Sequence, residues 1–135
     1  MNNDEMIKNI LLSAKTIASV GLSGNIEKPS NGVGAYLKSH GYRLIPVNPT
    51  ADEILGEKSY PDLESVPDNI DVVQVFRRPE DVPFVVSDAI KIKAKVVWMQ
   101  EGIVNEEAAQ MAREAGLQVV MDTCMRAAHI RLIGY

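Results

Sequence analysis

Two short segments carry residue types suited to holding an anion. One is Gly21-Leu22-Ser23-Gly24-Asn25, which follows the apolar run Thr16–Val20; the other is Arg77-Arg78, which follows the apolar run Asp71–Phe76. A glycine-rich turn that opens into a helix lets backbone N–H groups approach a ligand, and the helix start adds a positive dipole end. Gly32 and Gly34 fall early in the next helical pattern, and Ser23, Lys28, Ser30 and Asn31 add side-chain donors. A phosphate or pyrophosphate is the natural guest of the first segment. Adjacent guanidinium groups suit a second phosphate. The ligand-free alternative is that the glycines serve only a tight turn and the arginines are solvated.

The first turn is not the dinucleotide fingerprint, because Gly21-Leu22-Ser23-Gly24 lacks G-x-G-x-x-G. The second apolar run ends in Val47-Asn48-Pro49, with no acid to accept from ribose hydroxyls. Asn48 therefore speaks against NAD and leaves room for a ribose that carries phosphate. A phosphate-holding turn, no ribose acid and an Arg pair together point to a 3′-phosphorylated adenine nucleotide. Cys124 is the one cysteine; with Arg126 nearby it reads either as a small buried hydrophobe or as a thiol able to exchange with a ligand disulfide. His40 and His129 lack an adjacent nucleophile or metal-ligand spacing. Asp62, Glu64 and Asp68 form an acidic loop matching no cation template. No Ser-His-Asp set or acid–base pair is nominated.

The elements that must position these residues follow from hydrophobic periodicity. Ile7, Ile10, Leu11 and Ala14 predict an opening helix. Apolar runs at 16–20, 42–47, 71–76, 95–99 and 117–121 predict five strands. Helices are predicted from Ser30 to the stop at Gly41, from Pro79 through Ile90, from the cap Asn105 to Gly116, and over 125–132. Residues 50–69 read as irregular, with one helical turn near 62–66. Pro46 is awkward inside a ladder and is placed at a failing strand end. Nearly continuous apolar strands alternating with helices predict an α/β protein: one doubly wound, Rossmann-like domain over residues 1–135, with a five-stranded parallel sheet ordered 3-2-1-4-5. Ligands of such sheets bind beyond the carboxyl ends of the strands. That edge gathers 21–31, 47–49, 76–79, 100–103 and 122–126.

The chain has 135 residues with a net charge of -4, 46% hydrophobic and 24% charged. That balance speaks against a nucleic-acid or membrane-surface binder. A single cysteine, a polar acidic start and no long apolar run predict a cytoplasmic protein. The length predicts one domain, without a second, substrate-binding one.

These residues resemble the CoA-binding domain family, small Rossmann-type proteins similar to the N-terminal domain of the succinyl-CoA synthetase alpha chain. The motifs are Val20-Gly21-Leu22-Ser23, Lys28-Pro29-Ser30, Ile45-Pro46-Val47-Asn48-Pro49, Leu55-Gly56, Val75-Phe76-Arg77-Arg78-Pro79, Val96-Val97-Trp98-Met99-Gln100, Glu101-Gly102-Ile103 and Val120-Met121-Asp122-Thr123-Cys124. The resemblance implies coenzyme A as ligand. Gly21–Ser23 and Lys28–Asn31, with Gly32, would hold its pyrophosphate; Val47, Asn48 and Pro49 would lie near adenosine. Phe76, Arg77 and Arg78 would border the adenine and 3′-phosphate, Gln100 and Gly102 the pantetheine path, and Cys124 the thiol end. Many members carry a Glu before the His that follows this cysteine; here Ala128 stands in its place. The reading is a protein that binds CoA or an acyl-CoA without catalysis of its own. Its alternatives are a subunit of an acyl-CoA ligase with a separate enzyme partner, an NAD(P)-binding oxidoreductase, and an interaction module. Self-association is left open.

Overall fold

The computed structural model describes residues 3–134. Helix α1 (Asp4–Ser13) starts at Asn3, whose side chain accepts from the N–H groups of Glu5 and Met6, and it buries Ile7, Ile10 and Leu11. Strand β1 (Thr16–Val20) leads through the glycine turn to helix α2 (Pro29–Ser39) and strand β2 (Arg43–Val47). The connection onward holds a two-stranded hairpin, β3 (Glu53–Ile54) with β4 (Glu57–Lys58), and a 3₁₀ turn at Leu63–Ser65. Strand β5 (Val72–Val75), helix α3 (Val82–Lys91), strand β6 (Val96–Met99), helix α4 (Glu106–Glu114), strand β7 (Gln118–Val120) and helix α5 (Met125–Leu132) complete the chain. The hairpin was not expected. Its strands have two residues each, too short for any periodicity, and are joined through Leu55 and Gly56, both at positive φ.

The large sheet is parallel and ordered β2-β1-β5-β6-β7. Counting its five strands along the chain, the order is 2-1-3-4-5, which corrects the expected 3-2-1-4-5. The strand over 72–75 pairs with β1, Ile17 opposite Val72 and Val20 opposite Val75, instead of lying outside β2. The physical reason is visible in the strands. All four residues of β5 are buried, as an interior strand requires, whereas β2 begins at exposed Arg43 and contains Pro46. Proline lacks an N–H, so it belongs on an edge. The carbonyl of Pro46 faces outward and accepts from the N–H of Tyr60.

Two apolar layers cover the sheet. Ala18, Val20, Val73, Val75, Val97, Met99 and Val119 pack under α3 and α4. On the other face Ile17, Val72, Val96, Trp98 and Val120 pack under α1, α2 and α5. Trp98 is fully buried, as its mid-strand place predicts, and its indole N–H donates to the carbonyl of Thr123. No helix among the described residues is long and apolar enough to cross a membrane.

Candidate functional site

The corrected strand order fixes the site. Strand order reverses between β1 and β5, so the crevice opens between the turn after β1 and the turn after β5. Under the expected order, the Arg77 turn would have stood two strands away. Instead the two turns touch. The N–H of Phe76 donates to the carbonyl of Val20 at 2.8 Å, and the N–H of Gly21 donates to the carbonyl of Val47 at 2.9 Å. Gly21 has φ of 90°, and a Cβ there would lie 2.3 Å from the Phe76 carbonyl oxygen. No side chain fits, and the φ itself penalises any other residue.

The crevice holds about 520 Å³ and is lined by Gly21, Ser23, Lys28, Pro29, Ser30, Phe76, Arg77, Arg78, Pro79 and Ile103. At its wall stands the N-terminus of α2. Lys28 is the N-cap and no side chain caps the helix. Helices α3 and α5 likewise have no side-chain cap, whereas α1 and α4 are capped by Asn3 and Asn105. Pro29 has no N–H and that of Asn31 donates to the Lys28 carbonyl at 3.0 Å, so the N–H of Ser30 and the dipole's positive end are what the helix start offers the crevice. A second cation arrives from α5: a Cβ on Gly32 would come within 3.2 Å of the Arg126 guanidinium. Arg126 therefore reaches across to the first turn of α2. It was not among the expected anion-site residues; its only signal is a lone cation in the first turn of the last helix.

Several expected ligand donors turn inward to build the loop. Ser30 Oγ accepts from the N–H of Ser23 at 3.0 Å, and Asn31 donates to the Ser23 carbonyl at 2.9 Å. Both side chains are buried and hold the glycine turn against α2. Leu22 is fully buried in the layer under α2 and does not line the crevice, unlike its neighbours Gly21 and Ser23. Asn48 donates to the Leu22 carbonyl at 3.0 Å, and its oxygen accepts from the N–H and hydroxyl of Thr50. Its amide staples the end of β2 to the turn, a job a carboxylate could not do because it cannot donate.

Arg77 and Arg78 are both exposed and share Asp81, at 3.6 and 3.4 Å. Exposed pairs of this kind contribute at most about 1 kcal/mol, so an incoming anion competes with Asp81 on workable terms. Arg77 also borders a second groove of about 310 Å³, walled by Val20, Val47, Pro49, Leu63, Phe84 and Val85. Phe84 is 74% exposed there.

Beyond the crevice, the N–H of Gly102 donates to the Asp122 carboxylate at 2.6 Å. Cys124 is half-buried at the N-cap of α5 and opens on a separate hollow with Glu101, Asp122, Thr123 and Arg131. Gln100 is buried; its Oε1 accepts from the N–H of Met125 at 2.9 Å and from Gln74 Nε2 at 3.1 Å. Gln74 Oε1 and Ser19 Oγ, opposite one another on β5 and β1, are the buried side-chain atoms without a partner among the described residues. Orphaned groups of this kind cost about 1–3 kcal/mol each.

The two histidines meet further along α2 and α5. Tyr36 OH and His129 Nδ1 lie 2.7 Å apart, and Tyr36 stacks on His40 with centroids at 3.9 Å. Burial, then the neighbouring His40, hold the His129 pKa below its ordinary value.

A parallel sheet that reverses strand order beneath a glycine turn and an uncapped helix start defines the class: a Rossmann-like fold whose crevice suits a phosphorylated ligand. Sequence comparison makes the assignment particular. The chain belongs to the CoA binding domain family, whose profile matches residues 15–130. It is 46% identical over 123 residues to the uncharacterized protein YneT of Bacillus subtilis strain 168, covering 91% of each chain. A hypothetical protein from Pyrococcus horikoshii OT3 has the same fold, with a TM-score of 0.95 and 46% identity over 98% of this chain and 94% of that one. Acetate–CoA ligase II (ADP-forming) of Archaeoglobus fulgidus is 29% identical over 121 residues, covering 81% of this chain and 18% of the ligase. The chain therefore spans under a fifth of that enzyme's length.

Proposed function

We propose that the protein binds coenzyme A or an acyl-CoA in the β1/β5 crevice and carries out no catalytic step of its own. The observation that carries this is the anion site itself: Gly21 with no room for a side chain, the uncapped start of α2, and Arg126 against Gly32. Membership of the CoA binding domain family supports coenzyme A as the ligand. In this reading the pyrophosphate lies on the α2 N-terminus, with Lys28 at its rim. The 3′-phosphate takes Arg77 and Arg78 in place of Asp81. The adenine enters the second groove against Val47, Pro49 and Phe84, beside Asp62 and Asp88. The pantetheine arm runs past Gln100 and Gly102 toward the Cys124 hollow. Ser30, Asn31 and Asn48 shape the site without touching the ligand through their side chains.

Isothermal titration with CoA and dephospho-CoA tests the proposal. Because the arginines are exposed and already share a carboxylate, the 3′-phosphate is worth about 1 kcal/mol, or roughly a fivefold preference for CoA. No heat with either ligand contradicts the reading, and equal affinity removes the Arg pair from it. The match to an acetate–CoA ligase favours a second reading, in which the chain serves as the CoA-holding part of a ligase whose other segments are separate. Co-purification of such a partner and CoA-dependent ADP formation from ATP by the pair, in the presence of a carboxylic acid, would support it.

A further inference from the structure

Gln74 sits at the centre of an interior strand with no exposure, among Val72, Trp98 and Met125, a place where an apolar residue would be ordinary. Its hydrogen bonds have a fixed direction. The backbone N–H of Met125 can only donate, so the Gln100 atom that meets it must be the carboxamide oxygen. That same oxygen faces Gln74, so Gln74 must present its nitrogen. Gln74 Oε1 is left without a partner as a result. Two buried donors therefore clamp one branch of the Gln100 carboxamide, and its amide nitrogen is directed away from both. No hydrogen bond engages that nitrogen among the described residues. Gln100 stands at the carboxyl end of β6, three residues before Ile103 in the crevice wall.

We infer that Gln74 is a positioning residue for recognition of the ligand's flexible arm. Through Gln100 Oε1 it holds the Gln100 amide with its N–H pair toward the crevice, where it donates to a carbonyl oxygen on the arm. The ligand class it selects is a nucleotide extended by an amide- or thioester-bearing chain, over the same nucleotide without one. A free Gln side chain would rotate between donor and acceptor ends; the clamp removes the acceptor end. This inference rests on the CoA reading above.

The test compares CoA with adenosine 3′,5′-bisphosphate, which keeps the phosphates and base and lacks the arm. Gln74→Met preserves the shape of the buried side chain and removes its amide. The expected result is CoA binding weakened about three- to tenfold, the worth of one neutral hydrogen bond, with bisphosphate binding unchanged. A structural role would move both ligands together. A second readout is the Gln100 side-chain NH2 resonance in ¹⁵N-labelled wild-type protein, which should shift with CoA and stay in place with the bisphosphate. Equal weakening of both ligands, no weakening of either, or an unmoved Gln100 resonance overturns the inference. If wild-type protein binds the bisphosphate but gains nothing from the arm, the clamp fails while the nucleotide site stands. If it binds neither, the CoA reading fails and this inference falls with it.

Discussion

The two faces of the sheet are built from the same strands and differ in chemistry. Under α3 and α4 the strands present only Ala, Val, Ile and Met, and the covering helices answer with Val82, Val86, Ala89, Ala108 and Ala112. Under α1, α2 and α5 the alternate residues include Ser19, Gln74 and Gln100, and the helices bring Ser30, Asn31 and His129. An all-apolar interface maximises burial and leaves no polar group to satisfy. The polar face gives up some of that stabilisation and holds two orphaned atoms. What it gains is orientation, because the starts of α2 and α5 are held by directional bonds beside the crevice. The apolar face serves stability and carries the second groove at its rim, while the polar face orients the helix starts beside the crevice.

The comparison breaks most sharply at Gly21, where both faces meet the turn. Gly21→Ala places a methyl against the Phe76 carbonyl and retains a φ of 90°. It should cost about 3 kcal/mol or more of stability and abolish CoA binding, read by urea denaturation and titration. A change below 1 kcal/mol would show that the two turns separate easily.

Next in size is Val86→Ala, in the apolar layer and fully buried. About 2 kcal/mol of stability should be lost with CoA affinity intact. Altered affinity would mean the faces are not separate in function.

The smallest effect is on pH. His129 holds a depressed pKa through burial and then through His40, so the native state favours its neutral form. A depressed histidine contributes its stability above the unfolded value of 6.5, and that contribution is lost as pH falls through the native pKa. Urea midpoints measured from pH 7.5 downward should fall in that window, and His129→Gln should flatten the change. A wild-type profile unaltered by the substitution would place the acid sensitivity elsewhere.

Much of this was legible in the sequence, for reasons that differ by element. The apolar run over 16–20 and the helical spacing of Ile7, Ile10 and Leu11 give β1 and α1 directly, because near-complete burial of a strand and the one buried face of a helix both leave traces in the pattern. Strand neighbours leave none, since alternation says which segments are strands and nothing about pairing. Pro46 and exposed Arg43 were the available clues to an edge strand. At the site, glycine turn and arginine pair were readable as types at a sheet edge. The roles of Ser30, Asn31 and Asn48 were not, because a polar side chain beside a site can face the ligand or the backbone, and only hydrogen-bond geometry separates the two. Arg126 was hidden because its approach to Gly32 depends on how α5 lies against α2.

The central claim is that CoA binds in the β1/β5 crevice, and backbone amide mapping by ¹H–¹⁵N NMR during a CoA titration tests it most directly. The account predicts shifts concentrated at Gly21, Ser23, Ser30, Gly32, Phe76, Arg77 and Arg126, with Phe84 moving at the adenine groove and Ala112 unmoved. Shifts confined to α3 and α4, or none at saturating CoA, would contradict it.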